Sequence, residues 1–224
     1  MRQKLIFITL VLCAIGLHYV PILHLPFEWL ETYFHEISHG LMAIMTGGRI
    51  DHIELSFDGS GLCYSAGGIR WLVTFSGYAG AVLWGYLLYI SSTSLSARFS
   101  YILSWGIAIL IGISALLWVR DLTSLMIISL VIGLFILSAK LRDFTLSQQI
   151  LQLSAIYVML SATRAPLFLL HASVDKNAGD GARLAQYTGL PELIWVLIWL
   201  GLAVTGLFMA WSYQTKNLVL KPTL

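Results

Sequence analysis

Two histidines four residues apart, His35 and His39, bracket a glutamate in the stretch FHEISHG, residues 34–40. On an α-helix a spacing of four is about one turn, so both imidazoles project from one face and can meet a single cation, with Glu36 beside them. This is the H-E-x-x-H arrangement, in which two neutral imidazoles hold Zn²⁺ and the glutamate acts as general base on the water that the metal activates. A shuffled chain with 6 histidines would produce the pattern only on the order of a few times in a thousand. A catalytic zinc takes three protein ligands and keeps one position open, so a third donor must come from elsewhere. The candidates are Asp180, Asp175, His171, His52, His24 and Glu31. Glu31 lies one turn before His35 and is better placed to support that imidazole than to close the site. Asp180 is followed by Gly181, which permits close backbone approach. Its competing role is as N-cap of the segment GARLAQYT, which Gly189 ends. His18, His24 and His171 stand near the borders of apolar runs, where an imidazole needs no special chemistry.

The surroundings of the motif are apolar. The 224 residues are 58% hydrophobic and 11% charged, and the mean hydropathy is +0.82, values of a multi-pass membrane protein rather than a soluble globule. A net charge of +2 with no basic run excludes a nucleic-acid surface. Two cysteines, Cys13 in the first apolar run and Cys63 in a polar connection, make no disulfide framework. The start, MRQK, leads into an apolar run that continues to Leu23 without a small-x-small cleavage pattern, so an uncleaved first span is expected.

Runs able to cross about 30 Å of hydrocarbon lie near residues 4–23, 70–91, 99–119, 122–139, 149–170 and 190–212. A seventh candidate, 27–46, carries the histidines. Pro26 suits its first turn, Glu28 and Glu31 favour its N-terminal half, and Gly47-Gly48 ends it. From Arg49 to Tyr64 the pattern changes to period two, with Ile53, Leu55 and Phe57 alternating against polar residues before DGSG, a β-hairpin signature. Residues 171–189 are too polar to span. The expected fold is therefore an all-α polytopic membrane protein of six to seven transmembrane helices with a short hairpin insertion at about 49–66. A single membrane-embedded domain is expected to cover residues 1–224. With the N-terminus cytoplasmic, as lysine and arginine placement favours, and all seven segments crossing, the end of helix 27–46 and the polar segment 171–189 fall on the same side of the bilayer. Gly77, Ala81 and Gly85 form a small-xxx-small stripe that lets helices approach closely, with the helix 27–46 as the expected partner. Arg164 is expected at an interface or beside a carboxylate. The hairpin is either a strand edge that an extended substrate can join or a plain surface hairpin.

The chain resembles the site-2-protease family of membrane-embedded zinc metallopeptidases, in particular a small divergent bacterial branch without a PDZ domain. The resemblance rests on HEISHG at 35–40, TGGRIDHIEL with the hairpin, FSGYAGAVLWG at 75–85, and the GDG around Asp180. It implies zinc ligands at His35, His39 and Asp180, a catalytic base at Glu36, and a place in the bacterial plasma membrane. Asp180 departs from the family pattern in following Gly179 within a polar segment, and Asp175 stands in reserve as third ligand.

Together these readings lead to the expectation of an intramembrane zinc endopeptidase that cuts membrane-tethered proteins within or beside their spanning helices, with the lipid bilayer as its surroundings. A helix must unwind before its backbone can be attacked, so substrates with Pro, Gly or polar residues near the cut are expected. The alternative is a non-proteolytic metal-binding membrane protein, either a transporter component or scaffold or a degenerate protease. A transporter would carry further intramembrane ligands along a path, and the chain offers few beyond the one cluster.

Overall fold

The computed structural model describes residues 2–171 and 179–220. In chain order they form α1 (Arg2–Leu17), α2 (Leu25–Met45), the strands β1 (Arg49–Leu55) and β2 (Gly61–Ala66), and α3 (Arg70–Ser94). After a 3-10 turn (Ala97–Phe99) come α4 (Ser100–Trp118), α5 (Leu122–Lys140), α6 (Phe144–His171), α7 (Asp180–Thr188) and α8 (Glu192–Leu220). Five of these segments are long and apolar enough to cross a membrane: Arg70–Ser94, Ala97–Trp118, Leu122–Lys140, Phe144–Leu167 and Glu192–Thr215. Lys4–Leu17 is a sixth, shorter apolar helix. The first apolar run is helical only to Leu17, because turns occupy the residues on both sides of Pro21, whose ring removes an amide donor and breaks the ladder.

The motif-bearing α2 differs from the spans. Glu31 and Glu36 are buried along with Leu30, Tyr33 and Phe34, so α2 is covered almost all round. It is enclosed by α3, α5, α6 and both strands. Hydrocarbon penalises exposed ionisable groups, whereas a helix enclosed by protein can keep them on an inward cavity. α3 packs along both α2 and α6, α4 pairs with α5, and α1 lies against α6 and α8. The small-residue stripe divides its work between two partners. Gly77 meets the α2 histidines, while a Cβ at Gly85 would stand 2.8 Å from Met159 Cγ and 3.0 Å from the Ala155 carbonyl of α6.

The hairpin is antiparallel, pairing Ile53 with Cys63 and Leu55 with Gly61, and an irregularity at Asp51 shifts the register between Ile50 and His52. That extra residue puts Ile50 on the buried face with Ile53 and Leu55 although strict alternation would turn it outward. Phe57, which the period-two pattern assigned to the strand, lies in the turn. It is half exposed, with its ring edge-on to Trp29 at 6.1 Å. Gly59 supplies the positive φ of that turn, and its carbonyl accepts a 2.7 Å hydrogen bond from the Thr32 hydroxyl, so the turn rests on α2. The far end of β1 is tied to α5, where the Leu55 amide donates to Ser124 Oγ at 2.7 Å.

Candidate active site

Helical periodicity places His35 and His39 midway along α2, and their Nε2 atoms are 3.0 Å apart. Asp180 opens α7, and its Oδ2 lies 3.0 Å from His35 Nε2 and 3.1 Å from His39 Nε2. The competing role of this residue is not the one it takes. The N-cap position is held by Gly179, and the Asp180 carboxylate turns to the imidazoles. Gly189 ends α7 in the left-handed conformation, as the sequence pattern indicates.

The other candidates are elsewhere. His52 is taken up by the Asp51 and Glu54 carboxylates on the hairpin. His24 pairs with Glu28 at 3.2 Å. His18 Nδ1 shares a 3.0 Å hydrogen bond with the Tyr157 hydroxyl. Asp175 and the side chain of His171 lie outside the described residues. Glu31 makes no hydrogen bond to His35 among the described residues. It is buried and lines the same cavity as the histidines.

Three donor atoms at mutual distances near 3 Å fit a divalent ion. Zinc bonds to nitrogen and carboxylate oxygen are about 2.0–2.2 Å, so a triangle of this size allows one ion to reach all three corners. His39 Nδ1 donates to the Val73 carbonyl at 2.7 Å, which fixes the tautomer and leaves the Nε2 lone pair aimed at the other two donors. A lone pair facing a carboxylate oxygen repels it unless a cation or proton lies between them. Burial alone would raise the Asp180 carboxyl, but with a proton on the facing imidazoles the positive charge of His39 and His35 outweighs it and holds the group well below the usual carboxylate range. Only 10–13% of these three side chains is exposed, so the donors are shielded from bulk solvent.

They open instead onto a cavity of about 860 Å³, lined by α2, the hairpin, the start of α3, and α7. Glu36 stands on its wall beside the histidines, with the Cys63 backbone amide of β2 facing its carboxylate. Gly61 of β2 touches the same side chain, since a Cβ there would be 2.8 Å from Glu36 Cγ. On α3, the Tyr78 ring stands edge-on to His35 at 4.4 Å. The arrangement can hold a divalent cation, keep a carboxylate next to it, and leave both on the wall of one cavity.

The sequence profile of the Peptidase M50B-like family matches residues 6–212. The chain belongs to this family. Membership makes it a membrane metallopeptidase in kind, and five of its helices are long and apolar enough to cross a membrane. No curated protein and no solved structure matches the chain. Three contributors to this M50B-like site are not apparent from motif spacing. The Val73 carbonyl is backbone and leaves no residue-type signal. Gly61 and Tyr78 do leave one: a glycine at a strand start next to a helix, and a phenol directly after the first glycine of the small-residue stripe.

Proposed function

We propose that the chain is a zinc endopeptidase in which His35, His39 and Asp180 hold the metal, Glu36 is the general base, and the substrate is a membrane-tethered protein. The observation that carries this reading is the convergence of two imidazole nitrogens and one carboxylate oxygen within 3.1 Å of one another, next to a buried glutamate on the wall of an accessible cavity. Bound Zn²⁺ would supply Lewis acidity, polarising the peptide carbonyl and making water a nucleophile near neutral pH. The chain's own groups account for the rest. Glu36 accepts the proton of the attacking water on its carboxylate and returns it to the amide nitrogen as the C–N bond breaks. The Val73 carbonyl keeps His39 in one tautomer throughout. The hairpin holds the Glu36 side chain in place through Gly61.

The substrate reading rests on the setting. The cavity lies in a bundle that includes five helices long and apolar enough to cross a membrane, and a membrane-tethered chain fits that setting. The proposal includes a bacterial plasma membrane as that setting, supported by the resemblance to the PDZ-less bacterial branch.

The test compares wild type with Glu36→Gln in detergent and in vesicles. A membrane-tethered reporter with a Gly-Pro break in its spanning helix is cleaved by wild type. The variant keeps one zinc per chain and loses at least about 100-fold in rate. If Glu36→Gln retains both zinc and full function, the metal serves binding or transport and the peptidase reading fails.

A further inference from the structure

The α3 wall of the cavity carries a group that the mechanism above does not use. Gly77 lets the α3 backbone lie against both imidazoles, and the next residue, Tyr78, lines the cavity with His35, Glu36 and Asp180. Its ring is held on two sides, edge-on to His35 at 4.4 Å and tilted on Trp199 at 4.7 Å. Trp199 is fixed in turn by a 3.1 Å hydrogen bond from Nε1 to the Phe75 carbonyl. A ring clamped in this way has little rotamer freedom left, so its hydroxyl has a defined position. Among the described residues that hydroxyl has no hydrogen-bond partner, although the Asp180, Glu31 and Glu36 carboxylates are its charged neighbours. A phenol is a neutral donor, whereas those neighbours are acceptors, and the hydroxyl of nearby Thr32 is already donated to the Gly59 carbonyl.

Resting on the peptidase reading, we propose that Tyr78 is a further catalytic residue. Its hydroxyl donates a hydrogen bond to the scissile carbonyl oxygen as that oxygen takes on negative charge. No bond to Tyr78 forms or breaks, and its proton stays on the phenol. The gain comes from a donor fixed before reaction in a site shielded from bulk water, where such a donor strengthens most in the transition state. The glycine before it and the aromatic rings around it explain why a polar aromatic is tolerated in a membrane helix here. It faces the cavity, not lipid.

The test uses purified full-length protein, the reporter above, and a phosphinic peptide built on the reporter's cleavage sequence, whose tetrahedral anionic oxygens imitate the transition state. Tyr78→Phe preserves the ring packing on His35 and Trp199. The expected result is unchanged zinc content and melting temperature, a nearly unchanged KM, a kcat lower by about 100-fold, and phosphinic peptide binding weakened by a similar factor. Retention of kcat by Tyr78→Phe would reduce Tyr78 to a prop for His35 and overturn the proposal. So would loss of zinc together with kcat. Wild type cleaving, Glu36→Gln dead and Tyr78→Phe fully active sinks this inference alone. A wild type no more active than Glu36→Gln sinks the peptidase reading beneath it.

Discussion

Gly77 lies directly under His35: a Cβ added to this glycine would stand 2.5 Å from His35 Nε2, and equally close to Nε2 of His39. The backbone of α3 is therefore the floor on which both imidazoles rest, and the missing side chain makes room for the donor triangle. Gly77→Ala is expected to weaken zinc binding by at least about 10-fold, the scale on which supporting contacts act. Helix content should be unchanged, because alanine is the better helix former. Zinc titration alongside circular dichroism checks both.

Gly61 controls the neighbouring carboxylate by the same device from the other side. A Cβ here would be 2.8 Å from Cγ of Glu36 and from Cγ2 of Thr32. Gly61→Ala is expected to displace Glu36 and leave the histidines alone, so zinc stays bound while kcat falls about 100-fold, the cost of a misplacement near 1 Å. Measured together, the two glycine variants separate the metal from the base.

Asp121 caps α5, its Oδ1 accepting from the Ser124 amide at 2.8 Å, and Ser124 in turn holds the Leu55 amide of the hairpin. Burial acts to raise the Asp121 carboxyl, but the Ser124 hydroxyl and backbone amide hold it below its ordinary value. A depressed folded-state pKa means that the cap contributes fully above the unfolded value near pH 3.9 and fades as pH drops through the lower folded value. Asp121→Ala is expected to cost about 1 kcal/mol at neutral pH. The gap between variant and wild type should close progressively below about pH 4. Thermal unfolding in detergent across pH 2.5–7 reads it, and a gap that widens on acidification would contradict the assignment.

The sequence alone carried the helical spans, the hairpin and the phase of the histidine pair. These depend on periodicities of 3.6 and 2 within a few residues, which the chain's apolar pattern states directly. It was less informative where a local irregularity intervened. The irregularity at Asp51 puts Ile50 on the same buried face as Ile53 and Leu55, because one inserted residue reverses the alternation across it without changing composition, and Phe57 lies in the turn because β1 ends at Leu55. The end of α1 at Leu17 rather than Leu23 has the same character. Hydropathy continues through Pro21, but the backbone ladder does not.

What tertiary structure alone decided was which carboxylate oxygen stands within reach of both imidazoles, and the wall around it. Asp180 and His35 are 145 residues apart, and apart from the family resemblance no local spacing rule ranks that aspartate above the five other candidates. Helix packing made the choice, by bringing α7 against α3 and α3 against α2. The same packing covered α2 with protein, so that Glu31 and Glu36 face a cavity in place of hydrocarbon. Spacing along a chain sets which side chains share a helix face. Only the meeting of separate helices sets which of those faces shares a point in space.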